Sequence, residues 1–261
     1  MSRMALGIAY RGVAYNGWQS QADGRTVQDA LERALDRFLA APVRVHCAGR
    51  TDAGVHALNQ VVHLDTTESR EPFSWVRGTN RYLPDDIAVQ WAQPVAADFN
   101  ARNHAVGRRY AYLLRESASR PALEVGLAGW VFRPLDGDAM RAAAAHLIGT
   151  HDFSAFRSAE CQAASPVKTL RSIDVERRGA YWRFDFEGNA FLHHMVRNIM
   201  GSLIAVGQGA RSPQWLAEVL AARSRALAAR TFPAAGLYFL GPYYDAALGI
   251  PEHTPAFDWL P

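Results

Sequence analysis

The sequence predicts an α+β protein, on three observations. Segments with strand periodicity and segments with helix periodicity are mixed, without the regular strand-helix-strand repeat of a parallel sheet. A long stretch over 169–187 has the alternation of a hairpin, with a turn at Gly179. A chain of 261 residues with 49% hydrophobic content can bury one large core or two small ones. No short-period repeat or low-complexity tract is present.

Met4 to Tyr10 reads as a strand. Thr26-Val27-Gln28-Asp29 then opens an amphipathic helix running to about Ala40, with Thr26 as N-cap and Asp29 in the place of a capping-box carboxylate. Val27, Ala30, Leu31, Ala34, Leu35, Phe38 and Leu39 share its apolar face. Strands are expected at 43–48, from Val43-Arg44-Val45-His46-Cys47, and at 60–65, where Val61, His63 and Asp65 alternate with Val62 and Leu64. A helix over 72–82 and a strand over 87–92 complete a first half. The second half holds a strand at 108–115, an alanine-rich helix at 136–148, the hairpin, helices at 191–206 and 213–223, and a strand at 236–240 before a Pro-rich, aromatic tail. The boundary between the halves is expected between 100 and 120, with domains over 1–105 and 106–261.

Composition narrows the class. There is no run of eighteen apolar residues and no charged-then-apolar leader, so a soluble, cytoplasmic protein with no membrane partner is expected. Cys47 and Cys161 are too few for a disulfide framework or a thiolate-built zinc site, and are expected to be reduced. The net charge is only +3, but among 28 basic residues Lys168 is the single lysine. Arginine suits phosphate oxygens and stacks on bases, which fits an RNA partner, although genome composition gives the same bias.

The most informative segment is Gly49-Arg50-Thr51-Asp52-Ala53-Gly54-Val55-His56. It sets a cation, a hydroxyl and a carboxylate between two glycines on a loop joining two strands. Arg50 beside Asp52 favours the charged carboxylate, a candidate nucleophile. An Asp near Gly is also an ordinary turn signal. The whole string resembles the signature of the TruA family of tRNA pseudouridine synthases. So do Tyr10-Arg11-Gly12-Val13-Ala14-Tyr15-Asn16-Gly17-Trp18-Gln19, Phe99-Asn100-Ala101-Arg102, Arg108-Arg109-Tyr110-Ala111-Tyr112, Asn189-Ala190-Phe191-Leu192-His193-His194-Met195-Val196-Arg197-Asn198 and Gly236-Leu237-Tyr238.

The resemblance implies the pseudouridine synthase fold: two α/β domains with mainly antiparallel sheets meeting around a central catalytic cleft, in a homodimer that grips the anticodon stem-loop of tRNA. It implies isomerisation of uridine to pseudouridine at tRNA positions 38, 39 and 40, on a flipped-out base, with no metal and no cofactor. Asp52 matches the catalytic aspartate, acting at C1′ of the sugar or C6 of uracil. Arg50 would pair with Asp52 and fill the space left by the everted nucleotide. Arg197, among apolar neighbours Met195 and Ile199, matches a position that also bonds the catalytic Asp. Tyr110 matches a tyrosine that stacks on uracil, and Leu237 a leucine that packs against the base. Phe99 and Arg102 are candidate RNA contacts, with Asn100 and Asn103 departing from the family pattern. The 160–164 loop matches a tRNA-facing segment but has lost its positive charge.

Two other readings compete. A metal-dependent hydrolase would use His46, Asp52, His56 and His63, although their spacing matches no compact site, and adjacent His193 and His194 cannot share a helical face. A non-catalytic tRNA-binding protein on the same scaffold would not need the Asp52 carboxylate.

Overall fold

A computed structural model describes residues 2–252, so the last nine residues of the aromatic tail lie outside the described residues. In chain order the elements are β1 (Ser2–Tyr10), α1 (Val27–Leu39), β2 (His46–Cys47), β3 (His56–Thr66), α2 (Pro72–Asn80) and β4 (Ile87–Val95). Then come β5 (Gly107–Glu116), β6 (Gly129–Val131), α3 (Gly137–Ala145), β7 (Gly149–Asp152), β8 (Val167–Arg178), β9 (Tyr181–Gly188), α4 (Met195–Gly207), α5 (Gln214–Ala222) and β10 (Leu237–Tyr243). Mixed α and β with mainly antiparallel pairing is the class expected from the sequence.

The chain forms two compact units, Met1–Gly107 with Tyr238–Pro261, and Arg108–Leu237. This differs from the division into 1–105 and 106–261, because the last segment returns to the first unit. β10 pairs in parallel with β3, Tyr244 Oη donates to Ala101 O at 2.6 Å, and Asn59 Nδ2 donates to Pro251 O at 3.1 Å. Such long-range pairing leaves no local signature for a sequence reading to find.

In the first unit the strands run β4-β1-β3-β10, with β2 on β3. β3 is buried on both faces from Val61 to Leu64, as an interior strand is. Phe99, Ala101, Tyr244 and Ile250 close one core around Ala5, Ala48 and Val61. Gly7 is glycine because Trp91 crosses it: a Cβ there would stand 2.0 Å from the indole Nε1.

Helix α1 forms as expected. Thr26 Oγ1 accepts from Asp29 N at 3.2 Å, while the Thr26 hydroxyl itself donates to the Asp29 carboxylate in place of the reciprocal backbone bond of a full capping box. Val27, Leu31, Ala34 and Leu35 are at most 1% exposed. The expected strand at 43–48 shrinks to His46–Cys47. Its earlier N–H groups are taken by α1: Val43 N donates to Asp36 Oδ1 at 2.8 Å and Val45 N to Glu32 Oε1 at 3.0 Å. Backbone donors satisfied by carboxylates need no sheet partner.

In the second unit the order is β5-β9-β8-β7, with short β6 parallel to β5. The hairpin turns at Gly179, where φ is +61°, as anticipated. The short strands β6 and β7 were not anticipated. α4 begins at Met195 rather than 191 because His194 adopts φ +62°, outside the helical region. His193 and His194 therefore precede the helix, with rings 4.1 Å apart. Among the described residues no helix is long and apolar enough to cross a membrane.

Candidate active site

The loop carrying Asp52 leaves β2 and enters β3, as the sequence suggested, and it is held on both sides of the carboxylate. Gln60, fully enclosed on β3, uses its side-chain amide as a backbone surrogate: Nε2 donates to Gly49 O, and Oε1 accepts from Gly49 N at 3.3 Å. Thr51 is turned inward, 7% exposed, with its hydroxyl 2.7 Å from that of Tyr10. Beyond Asp52, Val55 N donates to Asp52 O at 3.1 Å, and Gly54 at φ +80° closes the turn. Asp52 itself is half-buried. Of the two glycines that bracket the motif, only Gly54 needs a left-handed backbone.

The segment Tyr10 to Gln19 is the bed of this loop. Trp18 N donates to Thr51 O at 3.0 Å, and a Cβ on Gly17 would stand 2.7 Å from that same oxygen. A Cβ on Gly12 would meet Val55 O at 1.9 Å. Two backbones thus pack at distances that only glycine permits. Gly12 N donates to His56 Nδ1 at 3.2 Å, so the proton of the neutral ring sits on Nε2. The buried His56 ring stacks on Tyr238 at 4.5 Å, and burial pushes the Tyr238 phenol up to about 12 against the opposing effect of Arg11.

Tyr10, Gly12, Gly17, Gln60 and Tyr238 are supports that the sequence reading gives no role, and His56 serves as a support rather than a metal ligand. All but Gln60 stand in quoted motifs, and that is the available signal.

Arg50 is exposed and, among the described residues, makes no ion pair with Asp52.

In the second unit Tyr110 lies on β5, opposite Phe186 of β9, half-buried, with its ring 5.0 Å from that of Phe191 in an edge arrangement of 76°. Two residues on, Tyr112 is fully buried, and its hydroxyl lies 2.9 Å from Pro233 O and 2.6 Å from Ala235 O. That fixes the approach to Gly236, at φ +90°, whose Cβ would stand 2.2 Å from Leu113 O. Leu237 follows, 4% exposed.

Arg197 lies on α4, half-buried, and is tied to one residue by two bonds. Its Nε donates to Phe232 O at 2.9 Å, and Phe232 N donates to Arg197 O at 3.1 Å. The neighbouring Asn198, fully buried, donates to Phe156 O and accepts from Thr231 Oγ1 at 2.6 Å and Arg225 Nη2 at 3.1 Å.

Of the RNA-contact candidates, Arg102 is exposed at the tip of a turn in which Asn100 Oδ1 accepts from the N–H groups of Arg102 and Asn103, both at 3.0 Å. Asn at position 100 is thus a turn former. Phe99, at 1% exposure and packed against His63, His104 and Tyr244, is a core residue. The 160–164 loop is gathered by Arg157, whose Nη2 donates to Cys161 O and Ala163 O. Both cysteines are free thiols.

The metal-ligand set fails on geometry. His63 Nδ1 accepts from Ala101 N, His46 stacks on His63 at 5.1 Å, and His56 is committed to Gly12. Among the described residues those three histidines and Asp52 do not converge as ligands.

Comparison with known proteins gives the family. A family profile described as tRNA pseudouridine synthase matches residues 8–102 and 143–245. The tRNA pseudouridine synthase A of Methylibium petroleiphilum is 74% identical over 99% of this chain and 100% of its own. That of Polaromonas naphthalenivorans is 64% identical and that of Delftia acidovorans 59%, each over 99% of this chain and 100% of the relative. A solved archaeal box H/ACA sRNP Nop10-Cbf5 complex is a distant likeness, 12% identical over 77% of this chain and 44% of that chain, with a TM-score of 0.37.

Proposed function

Because the chain belongs to the tRNA pseudouridine synthase family, we propose that it isomerises uridine to pseudouridine in tRNA, with the Asp52 carboxylate as nucleophile. The observation that carries the assignment is a half-buried carboxylate on an immobilised loop, with Thr51 bonded to Tyr10 and Gly49 held by Gln60 before it and Val55 N bonded to Asp52 O after it. A side chain presented from so constrained a loop is already oriented, and orientation is a large part of catalysis.

The reaction conserves atoms and electrons. Attack of a carboxylate oxygen at C1′ breaks the N1–C1′ bond, whose electron pair leaves with uracil. The base turns, C5 bonds to C1′, and the carboxylate is released. C5 then loses its proton while N1 gains one. Addition of the same carboxylate to uracil C6 is the competing route and needs the same residue. Neither route consumes an oxidant, a reductant or a cofactor.

Tyr110 stacks on the everted uracil. A phenol with an ordinary pKa of about 10 is a poor base at neutral pH, so stacking is the role assigned to it. By family resemblance Arg197 bonds Asp52, Leu237 packs against the base, Arg102 contacts phosphate, and exposed Arg50 fills the gap left by the flipped nucleotide. By family resemblance the targets are uridines 38, 39 and 40 of the anticodon arm, the active species is a homodimer, and the work is done in the cytoplasm.

The deciding experiment uses tRNA labelled with tritium at uridine C5. The parent protein releases tritium; Asp52→Asn binds tRNA with unchanged affinity and releases none. A variant that still releases tritium at the parental rate overturns the assignment, and a parent that binds tRNA without release marks a binding protein.

A further inference from the structure

We propose that Phe191 is a positioning residue that fixes the plane of the Tyr110 ring, so that the phenol meets the substrate base in one orientation. The inference rests on the function proposed above and assigns a part of it to a residue that does not itself touch the reacting atoms.

One face of the β5–β9 pair leaves a gap beside Tyr110. On β5 and β9 the pairs Tyr112 with Phe184 and Tyr110 with Phe186 stand opposite each other, and all but Tyr110 are at most 1% exposed. The next pair along this face is Arg108 with Gly188, and glycine offers no side chain to flank Tyr110. Phe191, from the turn after β9, occupies that place: its Cζ would be 3.3 Å from a Cβ on Gly188, and its ring lies 5.0 Å from Tyr110 at 76°. Edge-to-face geometry is the favourable arrangement of two rings and resists rotation of either.

The turn that delivers Phe191 is itself anchored. Asn189 N donates to Thr169 O and Asn189 Oδ1 accepts from Thr169 N, both at 3.0 Å, while Arg108 Nη1 donates to Asn189 O at 3.0 Å. Three residues from three segments, Arg108 of β5, Thr169 of β8 and Asn189 of the turn, thus register Phe191 against Tyr110. Yet Phe191 is only half-buried, unlike the core aromatics Phe153, Phe156, Phe184 and Phe186. Core packing alone gives little reason for a phenylalanine there.

The test compares Phe191→Leu, which keeps an apolar side chain but removes the ring edge, with Phe191→Tyr, which keeps the ring. Single-turnover rates at saturating enzyme, tRNA affinity and thermal midpoints are measured for each. An aromatic pair contributes enough that Phe191→Leu should slow turnover by about three- to tenfold, with affinity unchanged and Phe191→Tyr near the parent. In 3-fluorotyrosine-labelled protein, the fluorine resonance of Tyr110, assigned by its loss in Tyr110→Phe, should shift or change width in Phe191→Leu. An unaltered rate, a loss confined to affinity, failure of Phe191→Tyr to restore the rate, or an unaltered Tyr110 resonance each overturns the proposal. If the parent releases no tritium from tRNA, the functional reading fails instead, and the resonance still reports on the two rings.

Discussion

The hydroxyls of Tyr10 and Thr51 lie 2.7 Å apart, with both side chains almost wholly enclosed, one residue before Asp52. Strand β1 thereby holds the loop from beneath. Tyr10→Phe leaves the Thr51 hydroxyl buried without its partner, a loss of about 1–3 kcal/mol. Urea titration should show that loss, and tritium release should slow as the loop loosens. The double variant Tyr10→Phe/Thr51→Val should be destabilised by less than the two single changes together, since both delete one interaction.

Gly17 and Gly24 separate backbone strain from packing against the loop. Both have positive φ, +86° and +64°, but a Cβ on Gly17 meets Thr51 O at 2.7 Å whereas one on Gly24 meets only Arg33 Nη1 at 3.7 Å. Gly24→Ala should cost about 1–2 kcal/mol and leave turnover unchanged. Gly17→Ala should cost more and depress turnover as well, because the displaced atom is the carbonyl next to Asp52. Equal turnover in the two variants would refute this.

Stability should fall on acidification through His63. Burial, then Arg3 and His46, lower its pKa to about 4, with Asp65 opposing, and its Nδ1 accepts from Ala101 N. The unfolded chain, with an ordinary His pKa of about 6.5, binds the proton that the folded ring refuses. The contribution is therefore intact above about pH 6.5 and is lost as pH falls toward 4. Thermal midpoints measured across that window should drop, and His63→Asn, which keeps an acceptor but does not titrate, should flatten the slope.

Arg102 should act through charge. Its exposed guanidinium sits on a turn whose backbone is fixed by Asn100, so Arg102→Ala removes one cation and little structure. If it neutralises a tRNA phosphate, the slope of log affinity against log salt should fall by about 0.7–0.9. Phe99→Ala should instead unfold the first unit, costing about 3–5 kcal/mol as a core deletion, with no change of salt slope in whatever remains folded.

How far the sequence was legible depended on the range of the interactions. α1 was readable because Thr26, Asp29 and the apolar positions lie within one local pattern, and Gly179 announced its hairpin. Residues 43–45 alternate like a strand, but their donors are met by Asp36 and Glu32, a tertiary event that alternation cannot report. The α4 start was misjudged because an apolar run does not reveal that His194 takes a left-handed backbone. Motif matching singles out Asp52, Tyr110 and Arg197 as candidates, yet it does not distinguish exposed Arg102 from buried Phe99 three residues earlier. Gln60 escaped notice because a glutamine in a strand has no sequence mark of its bond to Gly49.

The return of Tyr238 to Glu252 to the first unit orders events during synthesis. The 108–237 stretch is contiguous and can fold from its own residues as it emerges. The amino-terminal stretch cannot finish so early: Ala101 waits for Tyr244, Asn59 for Pro251, and β3 for the strand beginning at Leu237. A ribosome-bound nascent chain therefore carries Asp52 on an unfinished scaffold until the segment that follows Leu237 has emerged.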